Sequence, residues 1–330
     1  MRSRPSRPFR ARRTVLAVPG SSDRFIAKSR ELPVDAVFLD LEDAVAPAAK
    51  VEARARIAAA LRQAAWRAGT VTVRVNAWDT RWTTGDICEV VAAAGDRIDA
   101  LVLPKVQSAG QVVALDLILG QVEATAGLPV GRIGIEVQIE DAAGLQRVDA
   151  IAQASERIET LVFGPGDFMA AMGMRGLSVG SQLVGYQADA FHYALSRILV
   201  AARANGLQAI DGPYVSIRDL AGFRASAAKA AALGYDGKWV VHPGQVAAGN
   251  ELFTPEPDQV ARAERIVEAY AHATATTGGS VGAITVDDEM VDEAGMKVAQ
   301  AILAKSRSVR PAAGQPPAVH GDPVGHPARG

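Results

Sequence analysis

Apolar and polar positions along the chain fall into a repeating alternation. Short apolar runs occur at Thr14–Gly20, Ala36–Asp43, Val71–Trp78, Ala100–Val106, Ile133–Glu140, Thr160–Phe168, Gln208–Tyr214 and Gly237–Pro243. Most are β-branched or leucine-rich and lack polar alternation, which predicts strands covered on both faces. The segments between them carry helical spacing. Pro47 opens one helix, with Val51, Ala55, Ala58, Leu61 and Ala65 on one stripe. Ser108 caps another that runs to Gly127. Two more span residues 187 to 206 and 216 to 234, each stopped by glycine. Strand–helix alternation repeated eight times predicts a (β/α)8 TIM barrel. A doubly wound open sheet is the competitor, and the count of eight favours the barrel.

Two further helical stretches follow the eighth run, at Asp258–Thr276 and Asp287–Lys305, with the glycine-rich segment 278–282 between them. A barrel does not need them, so they are expected to form a C-terminal helical lid or docking arm. Residues 169–186 hold Gly173, Gly176, Gly180 and Gly185 and read as an active-site loop. The expected organisation is a disordered basic tail over 1–13, the barrel over 14–250, the arm over 251–305 and a disordered tail over 306–330. The first segment holds six arginines and no acid, and Pro5 and Pro8 interrupt any amphipathic transit helix. His320 and His326 lie in the last segment, where no metal site is expected.

Composition narrows the function class. Of 330 residues, 49% are hydrophobic and 22% charged, and the net charge is −1. That balance suits a globular enzyme and argues against a nucleic-acid partner. No run approaches the ~18 apolar residues of a membrane span. The lone Cys88 allows no intrachain disulfide and no cysteine-rich metal site, so a reducing, cytoplasmic setting is expected.

Barrel chemistry gathers at strand C-terminal ends. Glu140 and Asp167 end adjacent runs without His or Cys nearby, which suits either a hard cation such as Mg²⁺ or two helix caps. Arg74 sits inside the apolar Val73-Arg74-Val75-Asn76. It either clamps an anionic substrate or pairs with an acid such as Asp40 or Glu42. Asp40, Glu42 and Asp43 directly end the second run, so at least one should face the barrel mouth. The turn Pro19-Gly20-Ser21-Ser22-Asp23-Arg24, with Lys28 beyond it, offers backbone N–H groups to a phosphate or is a plain strand-to-helix turn. His242 is read mainly as a satisfied core histidine, and His192 and Cys88 as packing residues.

These segments, taken in order, carry a resemblance. Arg13 to Ser21, Phe38-Leu39-Asp40-Leu41-Glu42-Asp43-Ala44-Val45, Val73 to Asn76, Leu103-Pro104-Lys105-Val106, Gln138-Ile139-Glu140 and Gly164-Pro165-Gly166-Asp167-Phe168 resemble the citrate lyase β-subunit-like (HpcH/HpaI aldolase) superfamily. Within it, the chain is most similar to acyl-CoA lyases acting on malyl-CoA, β-methylmalyl-CoA or citramalyl-CoA, over residues 13 to 305. The resemblance implies a TIM barrel, Mg²⁺ or Mn²⁺ held by Glu140 and Asp167, a CoA thioester substrate, an α-keto acid partner and a homotrimer or homohexamer. It implies a catalytic Arg74, with Glu42 and Asp43 orienting it and the water around the metal. Ser21, Ser22, Arg24 and Lys28 would lie near the CoA phosphates. The segment 282–292 resembles the family's lid, whose terminal aspartate, here Asp292, acts as acid/base in a neighbouring subunit's site. Gln138 and Asp141 flank the fifth-strand glutamate where relatives often differ. The absence of histidine from residues 40–45 counts against the histidine-dependent pyruvate aldolases. The expected reaction is reversible aldol/Claisen cleavage of a β-hydroxyacyl-CoA. A thioesterase, a free-acid aldolase and a non-catalytic barrel subunit of a citrate lyase-type complex remain the alternatives.

Overall fold

A computed structural model describes residues 9–63, 65–181, 183, 185–186, 188–276 and 282–308. Each of the eight apolar runs overlaps a strand, with β3 and β6 starting one and two residues before their runs: β1 (Thr14–Pro19), β2 (Ala36–Asp40), β3 (Thr70–Arg74), β4 (Ala100–Leu103), β5 (Gly134–Ile139), β6 (Ile158–Phe163), β7 (Gln208–Asp211) and β8 (Gly237–Val240). They are parallel, pair in sequence order, and close through β1 against β8. The open-sheet alternative is thereby excluded. Val15, Ala36, Phe38, Val102, Val162, Ile210 and Trp239 fill the barrel interior. The alternate residues of the same strands, such as Leu16, Val37, Val73 and Leu101, pack outward beneath the helices. Burial on both faces explains why the strands show no polar alternation.

The helices are α1 (Asp23–Ser29), α2 (Lys50–Gln63), α3 (Thr83–Ala94), α4 (Ala109–Thr125), α5 (Ala142–Gln146), α6 (Val148–Ala152), α7 (Pro165–Ala171), α8 (His192–Ala204), α9 (Leu220–Leu233), α10 (Val246–Leu252), α11 (Pro257–Thr276) and α12 (Glu293–Ser308). Ser108 and Gln111 form a capping box at the start of α4. Gly234 ends α9 at φ +116°, which a side chain would oppose. The expected stripe on α2 holds at Ala58 and Leu61, which are buried, and fails at its other positions. Val51, Ala55 and Ala65 are exposed, while Ala53, Ile57, Ala60 and Leu61 are buried. In an alanine-rich helix the position of the one large aliphatic residue, Ile57, decides the inward face.

Two expectations need correction. First, Asp287–Lys305 is not one helix. Residues Ala283–Val286 and Glu289–Asp292 form an antiparallel hairpin, β9 and β10, and α12 begins only at Glu293. Asp287 and Asp288 both have positive φ, as the tight hairpin turn requires, and Asp tolerates it better than most residues. The β-branched Ile284, Thr285, Val286 and Val291 suit the pleat. Most of the segment 278–282 lies outside the described residues. Second, the basic segment is not frayed through residue 13. Arg12 is fully buried under the barrel, donating to Glu136, Glu159 and Gln208 at 2.9, 2.6 and 2.5 Å. Arg10 pairs with Asp99, and Arg13 with Asp35. The register between β5 and β6 shifts at Ile135/Glu136, so that Glu159 is the extra residue of β6 with no partner in the strand ladder. At the other end, α12 runs to Ser308, so Ser306 to Ser308 are helical, and residues 309–330 lie outside the described set.

Candidate active site

The carboxyl ends of β2 to β6 bring Asp40, Glu42, Arg74, Lys105, Gln138 and Glu140 together. Arg74 is buried at the end of β3. Its Nε and Nη2 donate to the two oxygens of Asp40 at 2.7 and 2.6 Å. Nη1 lies 2.9 Å from Glu42 Oε2 and 3.9 Å from Asp43 Oδ2. The guanidinium also rests against the Phe38 and Trp239 rings at 5.4 and 5.5 Å. Of the two sequence readings of Arg74, the structure shows the pairing with acids. Burial disfavours its charge, but Asp40 and Glu42 more than offset this and hold its pKa above the ordinary range. Burial likewise opposes ionisation of Asp40, yet Arg74 and the Glu42 and Ala44 N–H groups hold its carboxyl below the usual range.

Asp40 is the structural centre that the sequence reading undervalued. It accepts from the backbone N–H of Glu42 and Ala44 at 2.9 and 3.0 Å, folding the acidic turn back over the barrel. Lys50 Nζ and Asn76 Nδ2 tie down the carbonyls of Leu41 and Glu42 in that turn. Asn76 is held by Asp86 of α3, which also takes Arg54.

Glu140 follows β5 and is almost completely buried. Its Oε1 accepts the Lys105 N–H at 2.6 Å, and its Oε2 accepts from Gln138 Nε2 at 2.7 Å. Burial, together with Glu42 and Asp167, pushes its pKa well above the ordinary value despite Arg74. Asp167 is half-buried in the first turn of α7, beyond the end of β6. Glu140 and Asp167 line one cavity of about 300 Å³ with Trp78, Lys105, Asp141 and Ala170. Gly164, between the two acids in sequence, has no room for a side chain. A Cβ there would lie 2.5 Å from both Glu140 Cβ and Oε2.

Among the described residues, no group of three or more His, Cys, Asp or Glu side chains is arranged to hold a metal. The Glu140–Asp167 pair nevertheless fits Mg²⁺, which commonly takes one or two protein carboxylates and leaves its other positions to water and substrate. A buried carboxylate that burial and neighbouring acids hold toward its neutral form, as Glu140 is held, is stabilised as the anion by a divalent cation. Lys105, absent from the expected site, lies in the same cavity. Burial works against its charge, but Glu42 and Asp43 raise its pKa above normal. Its signal in the sequence was the Leu103-Pro104-Lys105 ending of β4.

Other expected site residues lie apart from this cluster. Ser22 caps α1, accepting from Phe25 N–H, while Arg24 and Lys28 are exposed on that helix. Asp292 ends β10, where its Oδ1 accepts from Gly295 N–H at 3.0 Å at the start of α12. Within one chain, no described contact joins Asp292 to Arg74 or Glu140. His242 is exposed and caps the turn after β8, and His192 is exposed on α8, so neither is a core histidine. Cys88 is half-buried on α3.

Comparison with known proteins completes this picture. A family profile, HpcH/HpaI aldolase/citrate lyase, matches residues 13–243. The chain is 36% identical to the L-malyl-CoA/beta-methylmalyl-CoA lyase of Cereibacter sphaeroides, covering 93% of this chain and 98% of that protein. It is 33% identical to the citrate lyase subunit beta of Escherichia coli K12, covering 91% and 95%. The CitE protein of Mycobacterium tuberculosis, solved with magnesium, acetoacetate and coenzyme A, superposes with a TM-score of 0.69 at 26% identity, covering 90% of this chain and 98% of that one. A citrate lyase from Burkholderia xenovorans shares the fold at a TM-score of 0.77 and 21% identity. With the profile spanning the whole barrel and relatives matched along nearly their full length, the chain belongs to the HpcH/HpaI aldolase/citrate lyase family.

Proposed function

We propose that this protein is a divalent-metal-dependent acyl-CoA lyase. It cleaves a β-hydroxyacyl-CoA of the malyl-CoA, β-methylmalyl-CoA or citramalyl-CoA type, reversibly, into an acyl-CoA and an α-keto acid. The observation that carries this reading is the convergence of a buried, acid-paired Arg74 and a Glu140–Asp167 pair at one barrel mouth. The malyl-CoA lyase relatives match through the C-terminal arm as well as the barrel.

Glu140 and Asp167 would hold Mg²⁺ or Mn²⁺. When bound, the ion supplies Lewis acidity to the carboxylate and hydroxyl oxygens of the substrate. Cleavage breaks the bond between the thioester α-carbon and the carbinol carbon. The carbinol hydroxyl gives its proton to solvent as the carbinol becomes the keto-acid carbonyl, and the C–C bonding pair passes into an enolate on the thioester. Arg74 stabilises that oxyanion, since Asp40 and Glu42 hold its guanidinium rigid and charged before substrate arrives. Asp292 gives a proton to the α-carbon in cleavage and removes it in condensation. Its one described side-chain hydrogen bond is to Gly295 N–H, on the arm itself, and its delivery from a second copy, as in a homotrimer or homohexamer, is part of this proposal. Phe25 on α1, Leu220 at the start of α9, Leu177 between α7 and α8, and Val215 and Ile217 between β7 and α9 are exposed apolar residues on which such an arm can pack. Ser21, Ser22, Arg24 and Lys28 form the proposed contact for the CoA phosphates.

The test is a product screen of β-hydroxyacyl-CoAs with Mg²⁺. The lyase reading expects stoichiometric α-keto acid and acyl-CoA. Free CoA without keto acid would instead mark a thioesterase. Turnover only after adding an acyl-carrier protein would mark a citrate lyase-type subunit, the reading favoured by the Escherichia coli relative.

A further inference from the structure

Lys105 is the cation among the described residues that line the Glu140–Asp167 cavity, and the mechanism above gives it no task. It makes three polar contacts on two different strand ends. Its backbone N–H donates to Glu140 Oε1 at 2.6 Å, beyond β5. Its ammonium donates to Glu42 Oε1 at 2.6 Å and to Asp43 Oδ1 at 3.2 Å, beyond β2. Its backbone sits at φ +51°, in the left-handed region that lysine seldom adopts. Such a conformation persists only where surrounding contacts over-determine it. Here the left-handed turn lets one residue address both strand ends at once.

The contacts also form a relay. Lys105 takes one oxygen of Glu42, while the other oxygen faces Arg74 Nη1 at 2.9 Å. A carboxylate held at one oxygen cannot rotate freely at the other. That second contact, to Arg74, is an ion pair and not a hydrogen bond, so the ammonium acts on the guanidinium through the charge and placement of Glu42, beside the two hydrogen bonds that Asp40 accepts. We infer that Lys105 is a positioning residue of the lyase site, acting through Glu42 on Arg74. The inference rests on the lyase reading.

Every non-proline replacement keeps the N–H bond to Glu140, so side-chain variants isolate the ammonium. Lys105→Met should lower kcat by about tenfold or more, as loss of a group that orients a primary one commonly does. KM and the Mn²⁺ dissociation constant of the substrate-free protein should stay within about threefold, because substrate and metal contacts remain. The melting temperature should hold. Lys105→Cys alkylated with 2-bromoethylamine rebuilds an ammonium at nearly lysine length and should restore kcat, with wild-type protein treated in parallel to control for Cys88. A kcat for Lys105→Met within about twofold of wild type would overturn the inference. So would a loss that follows weakened Mn²⁺ binding or a lowered melting temperature, or one that alkylation leaves unrepaired. Wild-type protein that cleaves no β-hydroxyacyl-CoA while still binding Mn²⁺ would defeat the lyase reading itself, a separate result.

Discussion

Arg74 shows what a single residue can be asked to do. Its two parallel bonds to Asp40 need a planar fork, which an ammonium cannot offer. Arg74→Lys is expected to lower kcat by roughly two orders of magnitude, the scale of losing an oxyanion donor, with a circular dichroism melt close to wild type. The same pair has a pH signature. The pKa of Asp40 is depressed on folding, so its contribution to stability is complete above the unfolded value near 4. It is lost as pH falls through the lower folded value. Urea midpoints measured down the acid range should fall less steeply for Asp40→Asn, which has no carboxylate to protonate. Gly164 is a second such position. Gly164→Ala should displace Glu140 and weaken Mn²⁺ binding, read by titration of the substrate-free protein, because the added methyl occupies the space of that carboxylate.

At the scale of elements, the barrel floor is the clearest case. Arg12 belongs to no strand or helix, yet it neutralises Glu136 on β5 and Glu159 on β6 and donates to Gln208 on β7. These three strands are consecutive and paired, whereas Arg12, just before β1, lies more than 120 residues from the nearest of its partners and meets them only in the closed barrel. Arg12→Met would leave buried Glu136 without the cation it pairs with and Glu159 with Arg10 at 3.3 Å, and breaking a buried pair costs about 3–5 kcal/mol in comparable cases. A two-state urea transition should report a loss of that size, and retention of wild-type stability would show that Arg10 replaces it. The hairpin β9–β10 obeys a different local rule. Its Asp287-Asp288 turn decides that the last residues of the arm start as strand, and Asp292 then serves as the cap of α12.

For the whole molecule, the question is how Asp292 reaches a substrate. If the arm serves a second copy, Asp292→Ala should keep metal binding and lose C–C cleavage. Mixed oligomers of Asp292→Ala with Glu140→Ala should then regain part of the activity, since some interfaces pair an intact metal site with an intact arm. Well-exchanged mixtures that stay inactive would place the arm over its own barrel, or remove Asp292 from the chemistry.

The local pattern alone determined the barrel, and with it much of the site. Eight runs without polar alternation mean strands covered on both faces. A parallel closed sheet puts the polar end of every run, Arg74, Glu140 and Asp40 among them, at one mouth. The helix stops at Gly127 and Gly234 were legible for the same reason, because they answer to backbone geometry within a few residues. What the pattern could not carry were pairings across long separations. Nothing near Arg12 in sequence announces Glu136 or Glu159, although a glutamate inside an apolar run, such as Glu136, needs a cation from elsewhere in the chain. Lys105 and Glu42 are 63 residues apart and meet only because β2, β3, β4 and β5 are laid side by side. Burial on both faces is a property of each strand by itself, so the sequence records it. Charge compensation is a property of neighbours in space, so only the closed barrel decided it.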